Sequence, residues 1–219
     1  MKQQDLTQGS ITGGLMSFIM PILLGSFFQY FYNTADAIIV GSYVGKTGLA
    51  AVGGSTGVII NLLIGLFVGI SSGSSVIITQ RFGAHDDKGV SASIHTTAAL
   101  MLLISVALTL IGLVCVPPIL RLINTKEDVM EQALIYLRIY FGGSASVVIY
   151  NFGSSVLRAL GDSRRPMVVL IFCSLLNVAL DYLLVVVLKM DVAGAAIATV
   201  AAQAFSSVYI IVCLMRAKG

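Results

Sequence analysis

The chain has 219 residues, 57% hydrophobic and 11% charged, with a formal net charge of +3 and a mean hydropathy of +0.97. Soluble domains carry about 25% charged residues, so this composition excludes an ordinary water-soluble globule. A net charge this small also gives no footing for nucleic acid. A run of about 20 apolar residues crosses a bilayer core, and the sequence holds several such runs.

Six apolar blocks follow in chain order, roughly 15–40, 49–79, 94–120, 129–157, 167–188 and 192–215. Backbone groups in lipid must be satisfied within their own segment, and the alternation expected of barrel strands is absent. The fold class is therefore an all-α integral membrane protein, a bundle of six transmembrane helices. Residues 1–14 are expected to be a cytoplasmic N-terminal segment, 15–215 the six-helix unit and 216–219 a cytoplasmic tail or truncation point. The first block is too long for the h-region of a secretory signal and is read as a retained helix. Pro21 interrupts it and is placed to kink it. The second block is rich in glycine ("AAVGGSTGVIINLLIGLFVGISSGSS"), which lets helices approach closely.

The seams between blocks are short, and their basic residues set an orientation. With the N-terminus in the cytoplasm, eight Lys and Arg fall inside (Lys2, Arg81, Lys88, Arg158, Arg164, Arg165, Arg216 and Lys218) and five outside (Lys46, Arg121, Lys126, Arg138 and Lys189). The bias places both termini inside a plasma (inner) membrane. Cys115, Cys173 and Cys213 lie within apolar blocks and read as small buried hydrophobes. With no CxxC or HExxH spacing, no metal site on soft ligands and no cofactor is expected.

Of the ten acidic residues, Asp36 and Asp181 alone lie well within apolar helices. Each costs about 2.5–3.5 kcal/mol at a helix centre, so the pair points to a function. Asp36 is 21 residues along the first block from Leu15, and Asp181 is 14 along the fifth from Met167. Both blocks start inside, so both carboxyls fall in the outer half of the membrane, where they can share a cavity. Asn177 precedes Asp181 by one helical turn on the same face, and Thr199 in the sixth block falls at a similar depth. A carboxylate, an amide oxygen and a hydroxyl make a hard-oxygen set fit for a proton or Na⁺, with too few anions for tight Ca²⁺. Gln29 and Tyr32 share a helical face with Asp36. They and Asn61 are candidates for the wall of a substrate cavity, and Asn151 is the most weakly placed ion-site candidate, nearer the cytoplasmic end. Coupled exchange follows if ion binding changes the charge of the cavity and so its affinity for a cationic solute.

The stretch "PILLGSFFQYFYNTADAIIVGSYVGKTGLAAVG" resembles the first helix and following loop of the multidrug and toxic compound extrusion (MATE) family. The resemblance continues through "GISSGSSVIITQRFGAHD", "LRALGDSRRPM", "LNVALDYLLV" and "GAAIATVAAQ", nearly the whole chain. It implies one lobe of a twelve-helix transporter, the amino-terminal one, exporting cationic amphipathic drugs by H⁺ or Na⁺ antiport. It also implies an ion site of Asp36, Asn177, Asp181 and Thr199, with Asn151 from the fourth helix. The family pattern often has a second Asn three residues after Asn151, where this chain has Ser154. The resemblance further implies a second six-helix lobe as partner, with this chain a fragment or half of the whole.

No nucleophile–base constellation suggests an enzyme. Intramembrane aspartyl proteases also use two membrane aspartates, but their Tyr-Asp appears here reversed as Asp181-Tyr182, and "ALGD" lacks the earlier glycine of Gly-x-Gly-Asp. A lipid-linked-sugar flippase of the same superfamily is an alternative. It should carry more basic residues in its cavity helices, where only Arg138 and Arg158 come near, both toward helix ends. A non-transporting structural membrane module is the other alternative.

Overall fold

The structure, a computed structural model, describes residues 11–217, and these contain helices and no strand. Six membrane-length segments are built from eight helices among the described residues: α1 (Ile11–Tyr43), α2 (Lys46–Leu49), α3 (Ser55–Gly83), α4 (Asp87–Leu122), α5 (Glu127–Gly142), α6 (Ser144–Ala159), α7 (Arg164–Asp181) and α8 (Asp191–Ala217). Five spans are long and apolar enough to cross a membrane, and the α5–α6 pair is the sixth. The expected N-terminal segment falls mostly outside the described residues, and α1 is already helical at Ile11, the first of them. Of the expected tail, 218–219 also lie outside them.

The departures from plain helices are local and have physical causes. The expected interruption at Pro21 is not found: α1 is one helix on both sides of it. A proline removes one backbone donor, and transmembrane helices tolerate that where neighbouring groups re-satisfy the freed carbonyl. The second segment starts as α2, widens into a π turn over Ala50–Gly54 and continues as α3. The Thr56 hydroxyl donates to the carbonyls of Ala51 and Val52 there, satisfying acceptors that the wider turn disturbs.

The fourth segment, expected as one helix, is two, bent by 51° at Gly142–Gly143. A Cβ at Gly143 would collide with the Val200 side chain of α8, and one at Gly112 of α4 with the Phe141 ring. The break lets α5 and α6 press closely on both neighbours. Thr109 of α4 ties across it, its hydroxyl paired with Ser144 Oγ at 2.8 Å. α7 also widens into a π turn, over Tyr182–Val187, and a tight reversal with positive φ at Lys189 and Asp191 leads into α8.

α8 packs between α7 on one side and α5 and α6 on the other. α1 lies against α7, and α3 and α4 pack on α6. Two principal buried clusters follow, one around Val40, Leu120, Leu137 and Ala195, the other around Phe67, Ile78, Met101 and Val156. Large apolar side chains such as Leu103, Leu110 and Val114 of α4 are exposed, as expected of a surface solvated by lipid. The layout leaves a cleft with α1 on one wall and α3 on the other.

Candidate functional site

That cleft is a cavity of about 580 Å³, lined by residues from every segment except α4. Asp36 stands on its α1 wall, 9% exposed, and Thr199 on its α8 wall. Behind the wall, Asn177 and Asp181 are buried at 2% and 0% exposure. The charges of Asp36 and Asp181 lie close enough to interact.

One orientation of the Asn177 amide satisfies both of its neighbours. Nδ2 then donates to Asp181 Oδ2 at 3.2 Å, and the amide oxygen accepts from the Thr199 backbone N–H at 3.3 Å. The opposite orientation leaves only a long 3.5 Å contact from Nδ2 to Thr199 Oγ1. Asp36 Oδ1 and Asp181 Oδ1 have no hydrogen-bond partner although both atoms are buried. A buried polar group left unsatisfied costs about 1–3 kcal/mol, more when charged. Two orphaned carboxyl oxygens beside an amide and a hydroxyl therefore fit a proton or a small hard cation. Among the described residues there is no group of three or more His, Cys, Asp or Glu that could hold a metal ion.

Asp36, Asn177, Asp181 and Thr199 are thus brought into one cluster. Gln29, Tyr32 and Asn61 line the cavity beside it. Asn151 lines the cavity as well, but its Nδ2 donates to Val147 O of its own helix at 2.8 Å.

Several cavity residues escaped the sequence reading. Tyr136 and Tyr140 of α5 stack on each other, ring centroids 6.4 Å apart, and Tyr136 lies within electrostatic reach of Asp36 and Tyr32. Their i, i+4 spacing was a usable signal, masked by the charged start of the fourth block. Tyr150, Gln203 and Arg158 are further polar residues of the lining. Of the two basic residues expected to come near the cavity helices, both toward helix ends, Arg158 lines the cavity and Arg138 is exposed on α5.

A family model described as MatE matches residues 21–183. The chain belongs to the MATE family. It is 34% identical over 209 residues to the "Probable multidrug resistance protein YpnP" of Bacillus subtilis (strain 168), covering 95% of this chain and 47% of that protein. It superposes with a TM-score of 0.91 and 30% identity on a crystal structure of MATE in complex with MaD3S, covering 98% of this chain and 48% of the other. An outward-facing MATE transporter of the MOP superfamily gives a TM-score of 0.89 at 30% identity, again with 98% of this chain and 48% of that one. This chain therefore spans about half the length of the MATE relatives it matches, in a stretch corresponding to about one lobe. It is a multi-pass membrane protein of a transporter family.

Proposed function

We propose that this MATE chain forms the amino-terminal lobe of a secondary active efflux transporter that exports cationic amphipathic drugs by H⁺ or Na⁺ antiport. The observation that carries the reading is the pair of buried carboxyls with orphaned oxygens, joined through Asn177 to Thr199 at the wall of a cavity large enough for a drug. Asp36, Asn177, Asp181 and Thr199 hold the coupling ion, with Asn151 left to the cavity wall. Tyr32, Tyr136 and Tyr140 offer ring faces to a cation, while Gln29 and Asn61 supply polar contacts. Ion entry neutralises the carboxyls and weakens the hold on a cationic solute, so ion and drug exclude each other. Exchange needs only that difference in affinity between two states. The lobe works with a second six-helix lobe across the cleft, and both of its termini are cytoplasmic.

The test is accumulation of ethidium inside everted vesicles carrying this chain with a second lobe, driven by an imposed H⁺ or Na⁺ gradient. Asp36→Asn and Asp181→Asn are each expected to lower gradient-driven flux at least about tenfold, equivalent to about 1.4 kcal/mol in the coupled step. Flux unchanged in both variants refutes the reading.

A further inference from the structure

The cavity has a second electrostatic feature that ion coupling does not use. Arg158, at the C-terminal end of α6, is the only Lys or Arg among the described residues lining it. Arg158 is half-buried and has no hydrogen bond or ion pair among the described residues. The carboxylate nearest in sequence is already engaged. Asp162 pairs with Arg165 Nε at 3.1 Å, and its other oxygen accepts from the backbone N–H groups of Arg164 and Arg165, at 3.1 Å each. The group within electrostatic reach of Arg158 is the Tyr150 phenol, two helical turns earlier on the same face. Helix side chains lean toward the N-terminus of their helix, so the guanidinium extends back along the cavity toward Tyr150.

Arg158 is also far from the acid cluster. Ser163, Pro166 and Met167 at the start of α7 line the same end of the cavity, and Gly25 of α1 packs there, its Cβ position 3.3 Å from Leu170. Asp36 lies eleven residues further along α1 than Gly25, about 16 Å at 1.5 Å per residue. One cavity thus holds a carboxylate cluster at one end and an unpaired guanidinium at the other. The planar fork of a guanidinium matches a carboxylate or phosphate in bidentate geometry.

We propose that Arg158, with the Tyr150 hydroxyl and Ser163 beside it, forms an anion subsite that takes the carboxylate or phosphate of an amphiphile lying along the cavity. In a dipolar ligand the cationic group then lies toward Asp36 and the anionic group at Arg158. This rests on the cavity being the ligand cavity, as proposed above. The anionic group comes from one of two sources, a dissolved zwitterion or the headgroup of a membrane lipid.

The test uses this chain together with a second lobe, purified in detergent, and titrates ciprofloxacin, a piperazinyl carboxylate zwitterion, and its methyl ester, which keeps the amine and loses the anion. Wild type is expected to bind the acid more tightly than the ester. Arg158→Gln should weaken the acid at least about tenfold, the loss of one charge-assisted contact, and leave the ester within twofold. Arg158→Lys should restore part of the acid's affinity. Short-chain phosphatidylglycerol competing with ciprofloxacin in wild type but not in Arg158→Gln identifies a lipid headgroup as an occupant. Absence of competition assigns the subsite to the dissolved zwitterion. Acid and ester bound equally by wild type, or weakened equally by Arg158→Gln, overturn the proposal. Asp36→Asn separates the two readings, because its failure to weaken the ester counts against the acid cluster and leaves the Arg158 comparison intact.

Discussion

Neutralising Asp181 should make the protein more stable, the reverse of what most buried substitutions do. Its carboxyl is fully buried, Oδ2 is reached by the Asn177 amide and Oδ1 is without a partner. When ionised without a bound cation, that oxygen carries the cost of an unsatisfied buried group, about 1–3 kcal/mol, and the charge repels Asp36. Asp181→Asn keeps the shape, removes the charge and turns one oxygen into a donor. The expected gain in Na⁺-free buffer, at a pH high enough to keep the carboxyl ionised, is about 1–3 kcal/mol, or roughly 2–12 °C in melting temperature for a chain of this size. The assay is thermal unfolding in detergent, followed by tryptophan-free readouts such as thiol labelling of Cys173 and Cys213, both buried. Asp36→Asn and the double variant complete a cycle, and each neutralisation should gain less when the other is already present. Couplings between neighbouring residues run about 0.5–3 kcal/mol. If Asp181→Asn melts below wild type and the cycle is additive, the carboxyls are held by the protein itself and the ion-site reasoning fails.

Two further outcomes follow from the packing. Gly143→Leu should cost about 1–3 kcal/mol as an overpacked contact, because its side chain meets Val200 where α5 and α6 break; unchanged resistance to unfolding in mixed detergent would show that the break gives way freely. Asp86→Ala should lose about 1 kcal/mol, since the Asp86 side chain accepts from Gly89 N–H at 2.9 Å to cap α4; hydrogen exchange at the start of α4 should rise, and an unaltered rate there contradicts the cap.

The sequence made six membrane segments legible because long apolar runs and short charged seams are one-dimensional features. It also made Asp36 and Asp181 legible, since a carboxyl in an apolar helix is costly wherever the helix sits. Depth counting placed them together, and the structure does so as well. The α5–α6 break was not legible, because "FGGSAS" reads equally as close helix packing until Val200 and Phe141 are seen pressing on the two sides. Arg158 was legible only as a basic residue near a helix end. Being near a helix end says nothing about which way the side chain leans, and only the position of α7 shows that it enters the cavity. Tyr136 and Tyr140 had the right spacing but belonged to a helix whose cavity-facing side depends on the bend that follows.

The cluster's geometry has a cause in the α7–α8 connection. Counted from Lys189 in the reversal, Asn177 is twelve residues back and Thr199 ten residues forward, yet the two meet. In a hairpin of uniform α-helices, partners at equal depth stand at equal counts from the turn, at 1.5 Å per residue. The six residues Tyr182–Val187 form a π turn, in which a wider loop spends residues on circumference and gains less height. That shortens the α7 arm and lowers Asn177 to the level of Thr199. The wide turn is held in place by α8, where Gly194 lies against the Leu184 backbone, its Cβ position 3.1 Å from the carbonyl carbon. Asp181 is the last α-helical residue before the widening, so the carboxyl is set at the point where the helix changes pitch. π turns recur at functional sites, and the reason here is positional. An uninterrupted α7 would carry Asn177 past Thr199 and separate the amide from its N–H.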